Sequence, residues 1–503
     1  MRRCWSDNAL RELLAHALLG FSFLVSVISP PLPAQHVPAN SASPASLRKA
    51  AGLFREGNYQ EARRELLQLV RDHPDFAEAF TLLGVTEIQL RDYSAAGTSL
   101  RKALKLNPRS TDASYNLGVL SLKENQPKQA ITYFEQALKT GTFSPELAVN
   151  LVRAHLDAGD RDEALKLAAH GQAAFADSPA FELALGKTLL NHGMPSEAVT
   201  SLKRADSLAP AQPEILLPLA DACLQLPDQA CATDALLKAK DSSGNTAEFH
   251  FLTGKAALLS HRDDEGIREI EAAVKMEPKN IDYLITLARY HQKLGFQDKA
   301  IAEFTEARKL DSSLSEAPYG LAVSYFIQDD FVRTIEFSNK AIQLNPQFDR
   351  AIFLLAISKF AKSQFDEAHE LLAKAAKLQP SNAYYRCFEG MVSLATDETS
   401  QAIASLRESI GLQPSYALAH YQLGRALVRL RNYPDARIEL ERAVSLQPDL
   451  GEAYYQLGLV YRRLGEQAKS AEALASFKQF RAAEQSERAE ILRQAQQNIQ
   501  GKR

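Results

Sequence analysis

An all-α solenoid of about thirteen 34-residue helix-turn-helix units, ending in a polar C-terminal capping helix, is the fold that the sequence predicts. Three observations predict it. First, Pro74, Pro108, Pro210, Pro278, Pro346, Pro380, Pro414 and Pro448 are separated from one another by multiples of 34. With Pro74 as position 32 of a unit that begins at Ser43, thirteen units tile residues 43–484 without insertion or deletion. Second, position 20 is Ala in ten units, from Ala62 to Ala436. Third, position 8 is Gly or Ala in twelve, with Val152 the exception. Composition alone puts such small residues at roughly one position in five, so the register is not an accident of composition.

Taken from the N-terminus, residues 1–34 read as a secretory signal. Arg2 and Arg3 precede an uncharged run from Leu18 to Ile28, which stops at Ser29-Pro30-Pro31. That run is too short to cross a bilayer, which needs about 20 apolar residues. No membrane span is therefore expected once the signal is removed, and cleavage is expected after Ala34 or Ala39. Residues 35–42 form a Pro/Ser/Ala linker.

Each unit then predicts two helices. Apolar residues at positions 4, 7, 8 and 11 share one helical face, and those at 20, 24 and 27 share another. In the second unit these are Phe80, Leu83 and Gly84, then Ala96, Leu100 and Ala103. Small residues at positions 8 and 20 let the two helices cross closely. Asn107-Pro108, Asn345-Pro346 and Gln447-Pro448 end second helices, because proline disfavours helical geometry in the residue before it. Acidic residues at position 2, such as Glu78, Asp112 and Glu146, suit the positive end of a helix dipole. Units 4, 6 and 9 depart most, through Val152, Pro218 and Thr334/Ser338, and are expected to carry a bend or local softness. Residues 485–503 are polar and read as the solubilising cap that a repeat stack requires.

This pattern resembles the tetratricopeptide repeat family. Its W-x2-L-G-x2-Y signature is matched by Tyr454-Tyr455-Gln456-Leu457-Gly458-Leu459-Val460-Tyr461, and its A-x3-F by Ala130/Phe134 and Ala300/Phe304. The resemblance implies a right-handed superhelix whose first helices line a concave groove, with positions 2, 5, 6, 9, 12 and 13 facing a partner. Position 9 carries Arg153, Lys187, Lys255 and Arg289, interrupted by Asp221, which is either a basic stripe suited to an acidic peptide or carboxylate or an ordinary solvated face of mixed sign. Positions 5 and 12 of later units carry Tyr319, Phe326, Phe353, Phe360, Tyr421 and Tyr455. These are either exposed anchors for a partner or packing between repeats. The family's lysine-based dicarboxylate clamp is not matched, since no unit has Lys at position 5.

Repeats occupy about 442 of the 503 residues, which leaves no room for a separate catalytic domain. Leu185-Gly186-Lys187-Thr188 resembles the end of a phosphate-binding loop, but Phe181 stands where its first glycine is needed. No zinc-type Cys/His spacing occurs. No catalytic residue, cofactor or metal site is therefore predicted. With 58 Lys+Arg against 61 Asp+Glu, no basic excess exists to hold nucleic acid. Cys223 and Cys231 sit on opposite arms of one hairpin and could form a disulfide in an oxidising compartment. The expected function is an exported, periplasmic or secreted, non-enzymatic scaffold that grips a protein or peptide in its groove. The rivals are an auxiliary subunit that positions substrates for a separate transferase or envelope machine, and a glycan-binding envelope factor. Oligomeric state is not encoded legibly.

Overall fold

Why small residues recur at position 8 is visible in what faces them. In the computed structural model, a Cβ added at Gly84, Gly118, Gly186, Gly254, Gly390, Gly424 or Gly458 would lie 2.5–2.7 Å from the side chain sixteen residues later. Those side chains are Leu100, Phe134, Leu202, Ile270, Leu406, Leu440 and Leu474. Position 8 of the first helix thus receives position 24 of the second, and a small residue there makes space for a large one.

The structure describes residues 45–226 and 228–482. The predicted signal (1–34), linker (35–42) and tail (485–503) lie outside the described residues, as does Pro227. Among the described residues there are only helices and turns, in a regular alternation. They fall into two compact units divided between Met276 and Glu277.

The N-terminal unit contains seven hairpins. Their helices are α1 (Ala45–Arg55), α2 (Tyr59–Asp72), α3 (Ala77–Gln89), α4 (Tyr93–Leu106), α5 (Thr111–Lys123), α6 (Pro127–Thr140), α7 (Pro145–Asp157), α8 (Arg161–Ala174), α9 (Pro179–Asn191), α10 (Pro195–Leu208), α11 (Pro213–Gln225), α12 (Gln229–Ser243), α13 (Ala247–Leu259) and α14 (Asp263–Met276). The C-terminal unit contains α15 (Ile281–Lys293), α16 (Gln297–Leu310), α17 (Glu316–Ile327), α18 (Phe331–Leu344), α19 (Asp349–Ala361), α20 (Phe365–Leu378), α21 (Ala383–Ala395), α22 (Thr399–Leu412), α23 (Ala417–Arg429), α24 (Tyr433–Leu446), α25 (Gly451–Arg463) and α26 (467–482). Each repeat pairs an odd-numbered first helix with an even-numbered second one. The chain is an all-α repeat solenoid.

Local chemistry sets the boundaries. Ser110, Ser144 and Ser178 accept hydrogen bonds from the backbone N–H three residues later, each satisfying a donor that the helix itself leaves open. Position 15 ends the turn in a left-handed conformation in all twelve repeats where it is described. Five of these residues are glycines (Gly57, Gly159, Gly193, Gly295 and Gly465), which accept positive φ without a steric cost. The other seven are Arg91, Asn125, His261, Asp329, Ser363, Asp397 and Arg431, with φ of 56–63°.

Burial is unequal between the two arms. α5 buries ten residues, from Ala113 to Leu122, whereas α6 buries only Ala130, Phe134 and Ala137. First helices are therefore covered by neighbours on several sides, and second helices keep a broad exposed face. This asymmetry decides the fate of the candidate site residues below.

The irregular units prove less disruptive than their sequences suggest. α11 runs as one helix through Pro218, although proline removes the bond that its N–H would donate to Glu214. In repeat 9, Thr334 and Ser338 are buried, and Thr334 Oγ1 donates to the Asp330 carbonyl at 2.8 Å. In repeat 4 the size relation of positions 8 and 24 is inverted, for Val152 stands with Ala168 and both are buried. That inversion predicts a coupled pair. Val152→Gly should destabilise by roughly 2 kcal/mol through a cavity and glycine entropy, and Ala168→Leu by about 1–3 kcal/mol through overpacking. The double variant restores the arrangement of the other repeats, and urea unfolding should recover about 2 kcal/mol of coupling.

Candidate functional site

Position 9 does not form one continuous stripe of available cations. In the N-terminal unit, Lys255 is buried, and its Nζ donates to Asp221 Oδ1 at 2.6 Å. Asp221, which interrupts the basic series in the sequence, is the partner that neutralises it. Arg153 lies 3.6 Å from Asp157, and the other carboxylate oxygen of Asp157 is 2.9 Å from His192 Nε2. Burial alone pulls the His192 pKa down, but the Asp157 bond and charge, with a bond to the Thr188 carbonyl, leave it above the ordinary histidine value. Lys187 is half-buried and makes no hydrogen bond or ion pair among the described residues.

Two cations that the position-9 pattern missed, Lys123 and Arg91, lie within electrostatic reach of one another, and Lys123 within reach of Arg153. Partial burial, then Arg153 and Arg91, hold the Lys123 amine below its usual pKa. Arg91, Lys123, Arg153 and Lys187 thus come from four successive repeats, on first helices or the turn that follows one. The signal for such neighbours is sequence separation. Residues 34–36 apart meet repeatedly, as in Lys255–Asp221, His192–Asp157, and Asn150 Nδ2 donating to Tyr115 Oη at 2.8 Å.

In the C-terminal unit the aromatic candidates require a correction. Tyr319, Phe326, Phe353 and Tyr421 are buried, and Phe360 is partly buried against the same core. The reason is that the following repeat supplies a cover. The Phe353 ring on α19 meets Tyr385 at 4.8 Å and Phe388 edge-on at 5.2 Å, both from α21. Tyr319 packs at 4.8 Å on Phe348. Only Tyr455 of the six is as much as 38% exposed, leaning on Phe477 at 5.1 Å. These rings are packing between repeats, and a solvent-facing aromatic groove is not what they build.

Arg289 on α15 stands apart. It is half-buried and, among the described residues, makes no hydrogen bond or ion pair. Burial and the nearby Arg350 cation hold its pKa below the usual arginine value, partly offset by Glu316, Tyr319 and Asp282.

Elsewhere, a cleft of about 740 Å³ lies among α12, α13 and α14. Its ionic groups include two internal pairs, His250–Glu269 at 2.6 Å and Arg262–Glu265 at 2.7 Å. Phe181, in the phosphate-loop look-alike, is buried within α9, so that segment is a helix and has no loop to cradle a phosphate. No group of metal-ligating side chains occurs among the described residues. The structure joins Cys223 and Cys231 in a disulfide, with Cα atoms 5.8 Å apart. Cys387 is a buried thiol whose pKa is pushed up to about 12 by burial, against a lowering bond from Tyr416.

Two sequence models described as tetratricopeptide repeat match the chain, one over residues 121–187 and the other over 47–99, 86–145, 353–417 and 421–491. No curated protein matches it in sequence. Among solved structures it is similar to the APC/C hetero-tetramer Cut9-Hcn1, with 13% identity, 82% of this chain and 96% of that chain covered, and a TM-score of 0.46. It is also similar to the human IFIT1 dimer with m7Gppp-AAAA, at 15% identity, covering 74% and 90%, with a TM-score of 0.45. MamA matches at 22% identity over 33% of this chain and 97% of that one, with a TM-score of 0.30. These likenesses are of fold alone.

Proposed function

The chain belongs to the tetratricopeptide repeat family, and from that premise we propose that it is an exported, non-catalytic scaffold which binds protein segments on the faces of its first helices. The observation that carries this reading is the use of the chain. From residue 45 to residue 482, the described segments are hairpin arms or the turns between them. Chemistry offered by such a stack consists of side chains displayed at fixed spacing, which suits holding an extended partner. The cations Arg91, Lys123, Arg153 and Lys187 favour an acidic segment on the N-terminal unit. A glycan-binding role is less favoured, because sugars stack on exposed rings and five of the six candidate rings are covered or partly covered.

Affinity capture from native extract, with the partner identified by mass spectrometry, tests the reading. Lys187→Glu should reduce capture of that partner at least tenfold, since it reverses an unpaired charge on the proposed face. Undiminished capture places binding elsewhere. Export is tested on the mature chain. N-terminal sequencing should begin after Ala34 or Ala39, and non-reduced peptide mapping should recover the Cys223 and Cys231 peptides linked. A chain that retains Met1 would remove export from the proposal.

A further inference from the structure

We propose that His192 is a proton-controlled clamp between the fourth and fifth repeats, closed while its imidazole carries two protons and loosened when it loses one as pH rises. The inference stands apart from the scaffold reading and needs no partner.

The starting observation is what the ring faces. His192 is the residue that ends α9. Its Nδ1 lies 2.7 Å from the Thr188 carbonyl oxygen, in the last turn of the same helix. Its Nε2 lies 2.9 Å from Asp157 Oδ1, at the end of α7 in the preceding repeat. A carbonyl and an ionised carboxylate only accept hydrogen bonds. A neutral imidazole has one N–H, so it satisfies one of these oxygens and turns a lone pair on the other. Only the imidazolium, with a donor on each side, makes both bonds.

The two helix ends favour the same charge state. A cation is stabilised at a helix C-terminus, and an anion there is not. His192 caps α9, and Asp157 is the last residue of α7. The proton on His192 thus serves both ends, completing an α9 carbonyl and offsetting a carboxylate that the α7 dipole disfavours.

Asp157 and Arg153, both on α7, are the charged groups that act on the ring. Arg153 opposes the proton, but it stands 3.6 Å from the second oxygen of Asp157, so the carboxylate is shared. Carboxylates on the other elements packed against α9 are held elsewhere. Lys166 lies 3.0 Å from Glu163 of α8, Arg161 lies 3.0 Å from Glu197 of α10, and Lys255 lies 2.6 Å from Asp221 of α11. Asp160, just before α8, lies 3.7 Å from His155. Burial works against the proton on His192, yet the bonds to Asp157 and the Thr188 carbonyl, with the Asp157 charge, leave its pKa above the ordinary value. In the unfolded chain such a ring titrates near about 6.5. The contribution of the clamp to stability is therefore complete below that pH and is lost as pH rises through the higher folded pKa.

The test uses the full mature chain and hydrogen exchange read by mass spectrometry, at about pH 6 and about pH 8, on either side of the expected transition. After correction for intrinsic exchange, peptides covering Asp157 and His192 should exchange about threefold or more faster at the higher pH. Peptides from the histidine-free α5 should not change. His192→Gln and Asp157→Asn should each show the faster exchange at both pH values. In NMR of the chain with labelled histidine rings, the His192 signal, identified by its loss in His192→Gln, should titrate above the exposed histidines. Asp157→Asn should lower its midpoint. A His192 midpoint at or below those of the exposed histidines, a midpoint unmoved by Asp157→Asn, or the same pH dependence of exchange in the wild type and Asp157→Asn would each overturn the proposal. Should His192→Gln not fold, the exchange contrast between the wild type and Asp157→Asn decides.

Discussion

Replacing Phe353 with Ala should destabilise the C-terminal unit by about 3–5 kcal/mol, the cost of deleting a fully packed aromatic ring. The side chain is only 2% exposed, and its ring is enclosed by Tyr385 and Phe388 of the next first helix. Tyr385, which covers one side of the ring, is tied in place through its bond to Asp349. In urea unfolding followed by circular dichroism, the midpoint should fall by more than about 1 M, given slopes of up to about 3 kcal/mol/M. Tyr455→Ala provides the contrast. That ring is more than a third exposed, so its loss should move the midpoint far less. Equal effects from the two substitutions would show that the cover supplied by α21 is not what holds the ring. Weakened partner capture by Phe353→Ala would accordingly report misfolding and would not identify a contact.

A loss of about 3 kcal/mol is expected for Asp221→Ala. The substitution removes the carboxylate that offsets the buried Lys255 ammonium at 2.6 Å. The ammonium also lies over the Phe251 ring, with Nζ 5.4 Å from its centroid, so it does not swing into solvent without losing that contact. Removing both charges distinguishes a structural pair from a binding group. Asp221→Ala combined with Lys255→Met should regain most of the loss, since well-packed apolar side chains often replace a buried pair with little penalty. Thermal unfolding of the single and double variants measures this. If the double variant is no more stable than the single one, the pair is not the source of the effect.

The repeat, its register and the pairing of small with large residues were legible because each repeats the same local packing problem thirteen times. Gly84 and Leu100, or Gly424 and Leu440, declare one contact whenever the 34-residue frame is laid down. Exposure was not legible at positions 5 and 12. Helical periodicity tells which face of α19 carries Phe353, but whether that face meets water depends on the side chains that α21 brings to it. Burial there is a property of two adjacent repeats together. The basic series failed for a related reason. Read along one repeat, Asp221 looks like an interruption, and read against the residue 34 places later, it is the counter-charge of Lys255. Val152 looked like a defect until Ala168 was considered with it.

The left-handed turns have a consequence for how much stability this architecture leaves unused. At Arg91, Asn125, His261, Asp329, Ser363, Asp397 and Arg431 an L-residue holds a backbone that glycine adopts freely. Each carries a steric penalty of about 1–2 kcal/mol, from which glycine's larger entropy loss must be subtracted. Seven elbows in separate hairpins, each held away from its optimum, leave a thermodynamic margin of several kcal/mol unclaimed. In repeat 6 the covalent link between Cys223 and Cys231 joins the two arms of the hairpin across its turn.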